Sequence, residues 1–319
     1  MGAHIIRRED ALRRGATDHD LQRQCRSGAW QRLRPGAFAV TEDLDALDPV
    51  ARHRLLAALA LRAAAPDAAL SHQSAAAVHG FELWNVPLRL VHLTRNRKSG
   101  GRRTPSRVVH SATLDPSEVT EVDGLRVTTP TRTLVDLARS VSFEGALATG
   151  DSALRSAVVA TAELSAAVTA LPEHSGRRRV KRVFGLLDGR SESVGETRSR
   201  ALFVREQLPL PDLQSNLFTD NDVHLGRVDF LLPDLGVVGE FDSRVEYGRL
   251  VPTGQVPADV LWAEKQREDA IRDAGWQVVR WTWDELATPH LVVDRVTRAI
   301  ARAGKCPPPT GRVVPTPAP

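Results

Sequence analysis

A mixed α/β chain, α+β in its overall arrangement, follows from three observations on the 319-residue sequence. A helix, turn, helix, hairpin pattern fills residues 1–41. Helical and extended segments alternate from Asp48 onward. Two apolar strands flank Pro233-Asp234-Leu235-Gly236 and imply a sheet near the C-terminal end. The length exceeds one comfortable hydrophobic core. The expected division is a winged helix-turn-helix over 1–47, a mixed α/β domain over 48–171, a basic linker over 172–189, a second αβ domain with a central mixed sheet over 190–305, and a disordered proline-rich tail over 306–319.

Composition narrows the classes. With 42% hydrophobic and 26% charged residues the chain is globular, and disorder over most of it is excluded. Cys25 and Cys306 have no metal-ligand or redox spacing, so a cytoplasmic protein without a disulfide framework is expected. The apolar run Leu55–Leu61 stops at Arg62, well short of the roughly 20 residues of a membrane-spanning helix. Neither a membrane association nor a signal-peptide core is read from the sequence. Of the 43 basic residues only Lys98, Lys181, Lys265 and Lys305 are lysines. Guanidinium groups suit bidentate phosphate contact, although arginine bias alone gives the same composition.

Residues Ile5–Arg14 read as a helix closed by Gly15. Thr17 with Asp20 forms a capping-box pattern that opens a second helix, Asp18–Arg26. Trp30–Arg34 and Ala37–Val40 flank a Pro35-Gly36 turn and read as a hairpin wing. Gln22, Arg23 and Arg26 on the second helix, with Arg32 and Arg34 on the wing, are the candidate DNA-binding residues, since these side chains reach base edges or phosphates. A winged helix used for protein contact is the alternative.

In the middle region, helices are expected over Val50–Ala64, Ser71–Val78, Thr131–Ser140 and Phe143–Ala153. Strands are expected over Leu88–Thr94, Val108–His110 and Leu125–Thr128. His72, His79, His92 and His110 match no metal-ligand spacing and read as separate surface or hydrogen-bonded core residues. Ser71 reads as a helix cap. The stretch 172–193 reads as a linker or as the basic start of a helix, and its run Arg177–Arg182 as a solvated basic face, with contact to a phosphate backbone as the alternative.

Carboxylates cluster in Gly226-Arg-Val-Asp229-Phe…Gly-Glu240-Phe-Asp242. A turn centred on Asp234-Leu235 sets Asp229 opposite Glu240, and two-residue alternation puts Glu240 and Asp242 on one face. Like charges placed opposite each other destabilise a sheet, so a compensating charge is required. A hard divalent cation supplies it, or else an arginine such as Arg227 or Arg244. A helix Ser193–Glu206 carries Glu196 in its first turn. A helix Ala258–Ala274 carries Glu264, Lys265 and Arg267, and strand Trp276–Trp281 follows it.

With Glu196, Arg-Val-Asp229-Phe, Glu240-Phe-Asp242, Glu264-Lys265-Gln-Arg267 and Ala274-Gly275-Trp276 in this order, residues 190–300 resemble the PD-(D/E)XK nuclease superfamily, in its very-short-patch-repair-like (Vsr-like) branch. Residues 4–40 resemble the N-terminal winged domain of AbiEi-type antitoxins. The first resemblance implies a restriction-endonuclease-like domain that hydrolyses DNA phosphodiesters with Mg²⁺ or Mn²⁺. Asp229, Glu240 and Asp242 would then be metal ligands, Glu196 an auxiliary acid and Lys265 the catalytic cation. The superfamily pattern places lysine where Asp242 stands, and relatives carry glycine and lysine at Ser243 and Glu246. The second resemblance implies DNA as a partner together with a cognate toxin or self-association. It also offers another function, a transcription-regulating type IV antitoxin-like protein whose nuclease fold is inactive. RNA remains a third substrate class.

Overall fold

The structure, a computed structural model, describes residues 4–173, 176–242 and 258–318. The chain divides into two compact units, 1–142 and 143–319. The fold is mixed α/β, with three sheets among the described residues.

The first unit opens with β1 (Ile5–Arg7), α1 (Arg8–Arg13), α2 (Asp18–Arg26), β2 (Trp30–Arg34) and β3 (Ala37–Val40), the strands lying in the order β1-β3-β2. The helix expected from Ile5 is therefore corrected. Ile5 and Ile6 pair with Ala39 and Phe38, and helix begins only at Arg8. Two β-branched residues beside an open strand favour pairing over an extra helical turn. The Thr17–Asp20 capping box forms as expected. Ala11, Leu21 and Phe38 make the small core beneath these elements.

There follow α3 (Thr41–Asp45), α4 (Pro49–Arg62), β4 (Ala68–Leu70), α5 (His72–His79), β5 (Val91–Asn96), β6 (Arg102–Arg103), β7 (Arg107–Ala112), β8 (Val119–Val122), β9 (Leu125–Thr128) and α6 (Pro130–Ser140). Asp48 accepts from the backbone N–H groups of Val50 and Ala51 and starts α4 at Pro49. The six strands run in the order β6-β7-β5-β4-β9-β8, with β5/β7 and β4/β9 parallel. Helix α5 is buried along most of its length, and its alanines Ala75, Ala76 and Ala77 allow it to approach its neighbours closely.

The second unit contains α7 (Phe143–Arg155), α8 (Thr161–Ala170), α9 (Arg177–Phe184), α10 (Val194–Arg205), β10 (Asp212–Phe218), β11 (His224–Leu232), β12 (Val237–Asp242), α11 (Ala258–Asp273), β13 (Gln277–Thr282), α12 (Pro289–Ala303) and β14 (Arg312–Val314). Its sheet has the order β13-β12-β11-β10-β14, antiparallel except for β12 with β13. Of the two readings of the stretch 172–189, linker or basic start of a helix, the structure has the helix α9, because Val180 and Val183 on one side of the basic run are buried. One expectation is corrected here. The tail over 306–319 contains β14, which pairs along Asn216–Phe218 and satisfies the backbone of a strand that would otherwise be an edge.

Helix α10 is fixed by a buried carboxylate on α7. Asp151 accepts from Thr197 Oγ1 (2.7 Å), Arg200 Nη1 (2.8 Å) and the Asp188 amide (2.8 Å). Burial raises its pKa to about 6 against the pull of Arg200. On the other side of α10, Trp281 donates to Ser199 Oγ at 2.8 Å and packs with Phe203 and Phe230. Gly195, one residue before Glu196, sits against Phe241, and a Cβ there would lie 1.9 Å from the Phe241 ring. Alanine is the better helix former by about 1 kcal/mol. Gly195→Ala is nevertheless expected to destabilise the unit by roughly 1–3 kcal/mol through overpacking. Thermal unfolding should show a lower Tm, and a Tm equal to or above that of the wild type would contradict this packing.

Candidate functional site

The carboxylates lie in the C-terminal sheet. β11 pairs Phe230 with Gly239, Leu231 with Val238 and Leu232 with Val237, which is the register expected from the turn and puts Asp229 across from Glu240. On its other side β11 pairs Leu213 with Phe230 and Ser215 with Val228, so Gln214 stands across from Asp229. Parallel β13 pairs Arg280 with Glu240. Gln214, Asp229, Glu240 and Arg280 therefore form one polar row across four strands.

Each carboxylate in the row already accepts from the protein. Asp229 Oδ2 accepts from the Phe241 amide (2.9 Å), a side-chain bond that follows the last paired residues of the β11/β12 ladder. Gln214 takes a left-handed backbone conformation (φ 54°), uncommon for a side-chain-bearing residue. Its Nε2 donates to Glu196 Oε2 at 2.9 Å and lies 3.5 Å from Asp229 Oδ1. Glu196, buried in the first turn of α10, also accepts from Ser193 Oγ and the Glu192 amide, both at 2.9 Å.

Two guanidinium groups hold Glu240. Arg267 Nη2 lies 2.8 and 3.0 Å from its two oxygens, and Arg280 Nη2 lies 2.9 Å from Oε2. Both arginines also pair with Glu264. Gly226 lets Arg267 in: at φ 144° it carries no Cβ, and one placed there would lie 3.0 Å from the Arg267 side chain.

Burial raises the pKa of Asp229 to about 6, and the nearby Glu196 adds to the rise. Glu196 and Glu240 are raised as well, chiefly by burial, with Arg267 and Arg280 opposing the rise at Glu240. Glu264, more exposed and bonded to Arg267 and Arg280, is lowered to about 2.

The compensating charge is thus arginine. Arg227 pairs instead with Glu192 (2.8 Å), while Arg244, Ser243 and Glu246 lie outside the described residues. Lys265, expected as the catalytic cation, is exposed, with Nζ 5.9 Å from the Trp262 ring centroid. Along α11, Glu264, Arg267 and Glu268 share one helical face by their three- and four-residue spacing, and Lys265 falls off it. Asp242 is the last residue of β12, in register with Thr282. With Glu240 held by two guanidinium groups and Glu196 and Asp229 sharing an amide donor, this arrangement does not suit Mg²⁺ or Mn²⁺, which need free carboxylate oxygens.

On the N-terminal winged helix, Leu21 and Cys25 face inward, whereas Gln22, Arg23 and Arg26 are exposed on α2. Arg23 pairs with Asp20 at 2.6 Å. Arg32 is exposed on β2, but Arg34 is not its companion. The β2/β3 register shifts between Arg32 and Arg34, and such an irregularity re-aims the following side chain. Arg34 lines a cavity of about 530 Å³ with Leu56, Arg89 and Arg107, its Nε buried without a hydrogen-bond partner.

Sequence spacing missed a third group. His72, His92 and His110, expected to lie apart, meet where α5 lies on the six-stranded sheet. Burial lowers all three pKa values, that of His92 to about 4, so the imidazoles are neutral near pH 7. The parallel pairing of β5 with β7 brings His92 and His110 together, and no local motif encodes that pairing. Ser71 is the N-cap residue of α5 by position, but its hydroxyl bonds His72 and Thr94 instead of capping the helix.

Residues 67–188 match the AbiEi antitoxin C-terminal domain family. This match lies on the middle region, following the residues 4–40 on which an AbiEi-type winged domain is read, and it ends before the segment that resembles a nuclease. The chain is 31% identical over 238 residues to the uncharacterized protein MT2308 of Mycobacterium tuberculosis strain CDC 1551 / Oshkosh, an alignment covering 72% of this chain and 80% of the relative. The same values hold for the uncharacterized protein Rv2248 of Mycobacterium tuberculosis strain ATCC 25618 / H37Rv. The chain belongs to the family of these two mycobacterial proteins. The crystal structure of the RV2827C protein from Mycobacterium tuberculosis is a more distant likeness, 16% identical with a TM-score of 0.38 over 57% of this chain and 71% of that one. Among the described residues no helix is long and apolar enough to cross a membrane.

A carboxylic acid whose folded-state pKa lies above its unfolded value near 3.9 contributes stability that is complete below that value and lost as pH rises through the folded one. Asp229 at about 6 therefore weakens the fold between about pH 4 and about pH 8. Asp229→Asn is expected to gain on the wild type across that interval by roughly 1–3 kcal/mol. Denaturant melts at the two ends measure the gain, and a stability difference independent of pH would contradict the assignment.

Proposed function

We propose that this chain is a DNA-binding regulator of antitoxin type, whose C-terminal αβ domain serves partner contact and does not cleave phosphodiesters. The observation that carries this reading is the pair of guanidinium groups on Glu240, which leaves its oxygens committed to Arg267 and Arg280. The AbiEi antitoxin domain match over 67–188 supports a toxin–antitoxin or transcription-regulating setting. DNA contact is assigned to the exposed Gln22, Arg26 and Arg32, with Arg23 beside them. In this reading the chain works in the cytoplasm, and its protein partner is a cognate toxin or a second copy of itself.

One arrangement favours a second reading. Glu196, Asp229 and Glu240 sit together in the helix and strand order of a restriction-endonuclease-like core, as an Mg²⁺- or Mn²⁺-dependent endonuclease acting on DNA or RNA would require. The two readings separate in one set of assays on the full chain. The regulator should shift DNA from its own upstream region. Arg26→Ala with Arg32→Ala should weaken that binding about tenfold and lower the salt dependence by roughly one unit per lost phosphate contact. No metal-dependent cleavage of plasmid, single-stranded DNA or RNA is expected. Cleavage with Mg²⁺ or Mn²⁺ that disappears in Glu240→Gln would replace the first reading by the second.

A further inference from the structure

His72 opens α5, His92 is the second residue of β5, and His110 lies on β7. One ring nitrogen from each lies within 4.8 Å of the other two. His92 Nδ1 and His110 Nε2 are 2.9 Å apart, and the His72 ring stacks on that of His110 with centroids 4.0 Å apart.

Hydrogen bonds define the tautomers. Gln73 Nε2 donates to Pro87 O (3.1 Å) and to His92 Nε2 (2.9 Å), so the His92 proton sits on Nδ1 and is donated to His110 Nε2. Two buried acceptors at this cluster lack donors, Gln73 Oε1 and Asp136 Oδ2, and the latter lies 3.8 Å from His72 Nδ1. Unpaired buried acceptors are costly and call for an explanation. His72 itself has φ 52°, a left-handed conformation that costs on the order of 1–3 kcal/mol outside glycine.

We infer that His72, His92 and His110 form a binding site for one transition-metal dication of the Zn²⁺ class, with Asp136 orienting His72 from behind. Imidazole nitrogens suit this class and exclude Mg²⁺ and Ca²⁺, which take oxygen ligands. Tetrahedral Zn–N bonds of about 2.0–2.1 Å set their nitrogens roughly 3.3 Å apart, so the His92–His110 pair opens by a few tenths of an ångström. On binding, the His92 proton moves from Nδ1 to Nε2, so the ring stays neutral as metal ligation requires, and Gln73 turns its donorless Oε1 to accept from Nε2–H. The His72 ring turns off its stack and swings Nδ1–H from Ser71 Oγ (3.0 Å) toward Asp136 Oδ2 (3.8 Å), the usual carboxylate–histidine support. Nearby cations do not block the site. Arg132 is shared by Asp136 (3.1 Å) and Glu118 (2.8 Å), two carboxylates on one guanidinium. The charges of Arg139 and Arg103 also act on His72 and His92 and reduce affinity. A bound ion would tie α5, β5 and β7 together at one point.

The test uses the full chain stripped with chelator and titrated with Zn²⁺ and, separately, with Co²⁺. One equivalent of Zn²⁺ should bind and raise Tm. Co²⁺ should give the intense visible bands of a nitrogen-rich tetrahedral site without a thiolate charge-transfer band, since Cys25 and Cys306 are free and outside the cluster. His92→Gln and His110→Gln should abolish both responses, and Asp136→Asn should weaken Zn²⁺ about 10- to 100-fold. Substoichiometric binding, no Co²⁺ bands, or a Tm rise kept in folded His92→Gln and His110→Gln chains would overturn the site. If the variants do not fold, wild-type stoichiometry and the Co²⁺ spectrum decide.

Discussion

Two guanidinium groups on one buried carboxylate organise the centre of the C-terminal sheet. Asp229 and Glu240 are forced side by side by the hairpin register, and neither can leave without shifting every side chain on both strands to the wrong face. Arg280 answers from the next strand and Arg267 from α11. Other features follow from that demand. Gly226 leaves the path by which Arg267 enters, and Gln214 adopts an uncommon backbone conformation to place its amide between Glu196 and Asp229. Removing both arginines would leave Glu240 buried beside Asp229 without a counter-charge, which costs several kcal/mol where such pairs themselves contribute little. The arrangement is tolerable as a whole and poor in any of its parts.

Much of this was legible in the sequence. The turn at Pro233–Gly236 fixed the pairing of β11 with β12, the capping box at Thr17 fixed the start of α2, and alternation located the carboxylates. The requirement for a positive charge was readable too, but its source was not. Lys265 and Arg267 are two residues apart on one helix, and only the orientation of α11 on the sheet decides which of them faces Glu240. Local pattern carries no such information. Arg34 parts from Arg32 for a related reason, since an irregularity inside β2 breaks the alternation that would have kept the two together. The first strand was missed because its partner lies some thirty residues away in sequence, at Ala37–Ala39.

The histidine cluster shows the limit more sharply. Its members are separated by whole elements, and each taken alone has the burial and bonding of an ordinary core histidine. A parallel crossover between β5 and β7 and a helix entering in a left-handed conformation at His72 bring them together. The AbiEi antitoxin match covers this region, which carries no recognisable catalytic motif. The middle of the chain therefore holds a polar centre of its own, distinct in chemistry from the arginine-bound carboxylates: neutral nitrogen donors in one place, fully committed oxygen donors in the other.

The short strand β14 reaches further than its three residues suggest. Arg312–Val314 pairs with Asn216–Phe218, and Thr316 continues the contact through Gln214 O and Arg190. The backbone of β10 is thereby occupied along the outer side of the sheet. A peptide that binds by extending this sheet, a common mode of recognition that uses main-chain hydrogen bonds, finds β10 taken and meets the three-residue β14 at one margin or the six-residue β13 at the other. The longer of these two edges is the strand that carries Arg280.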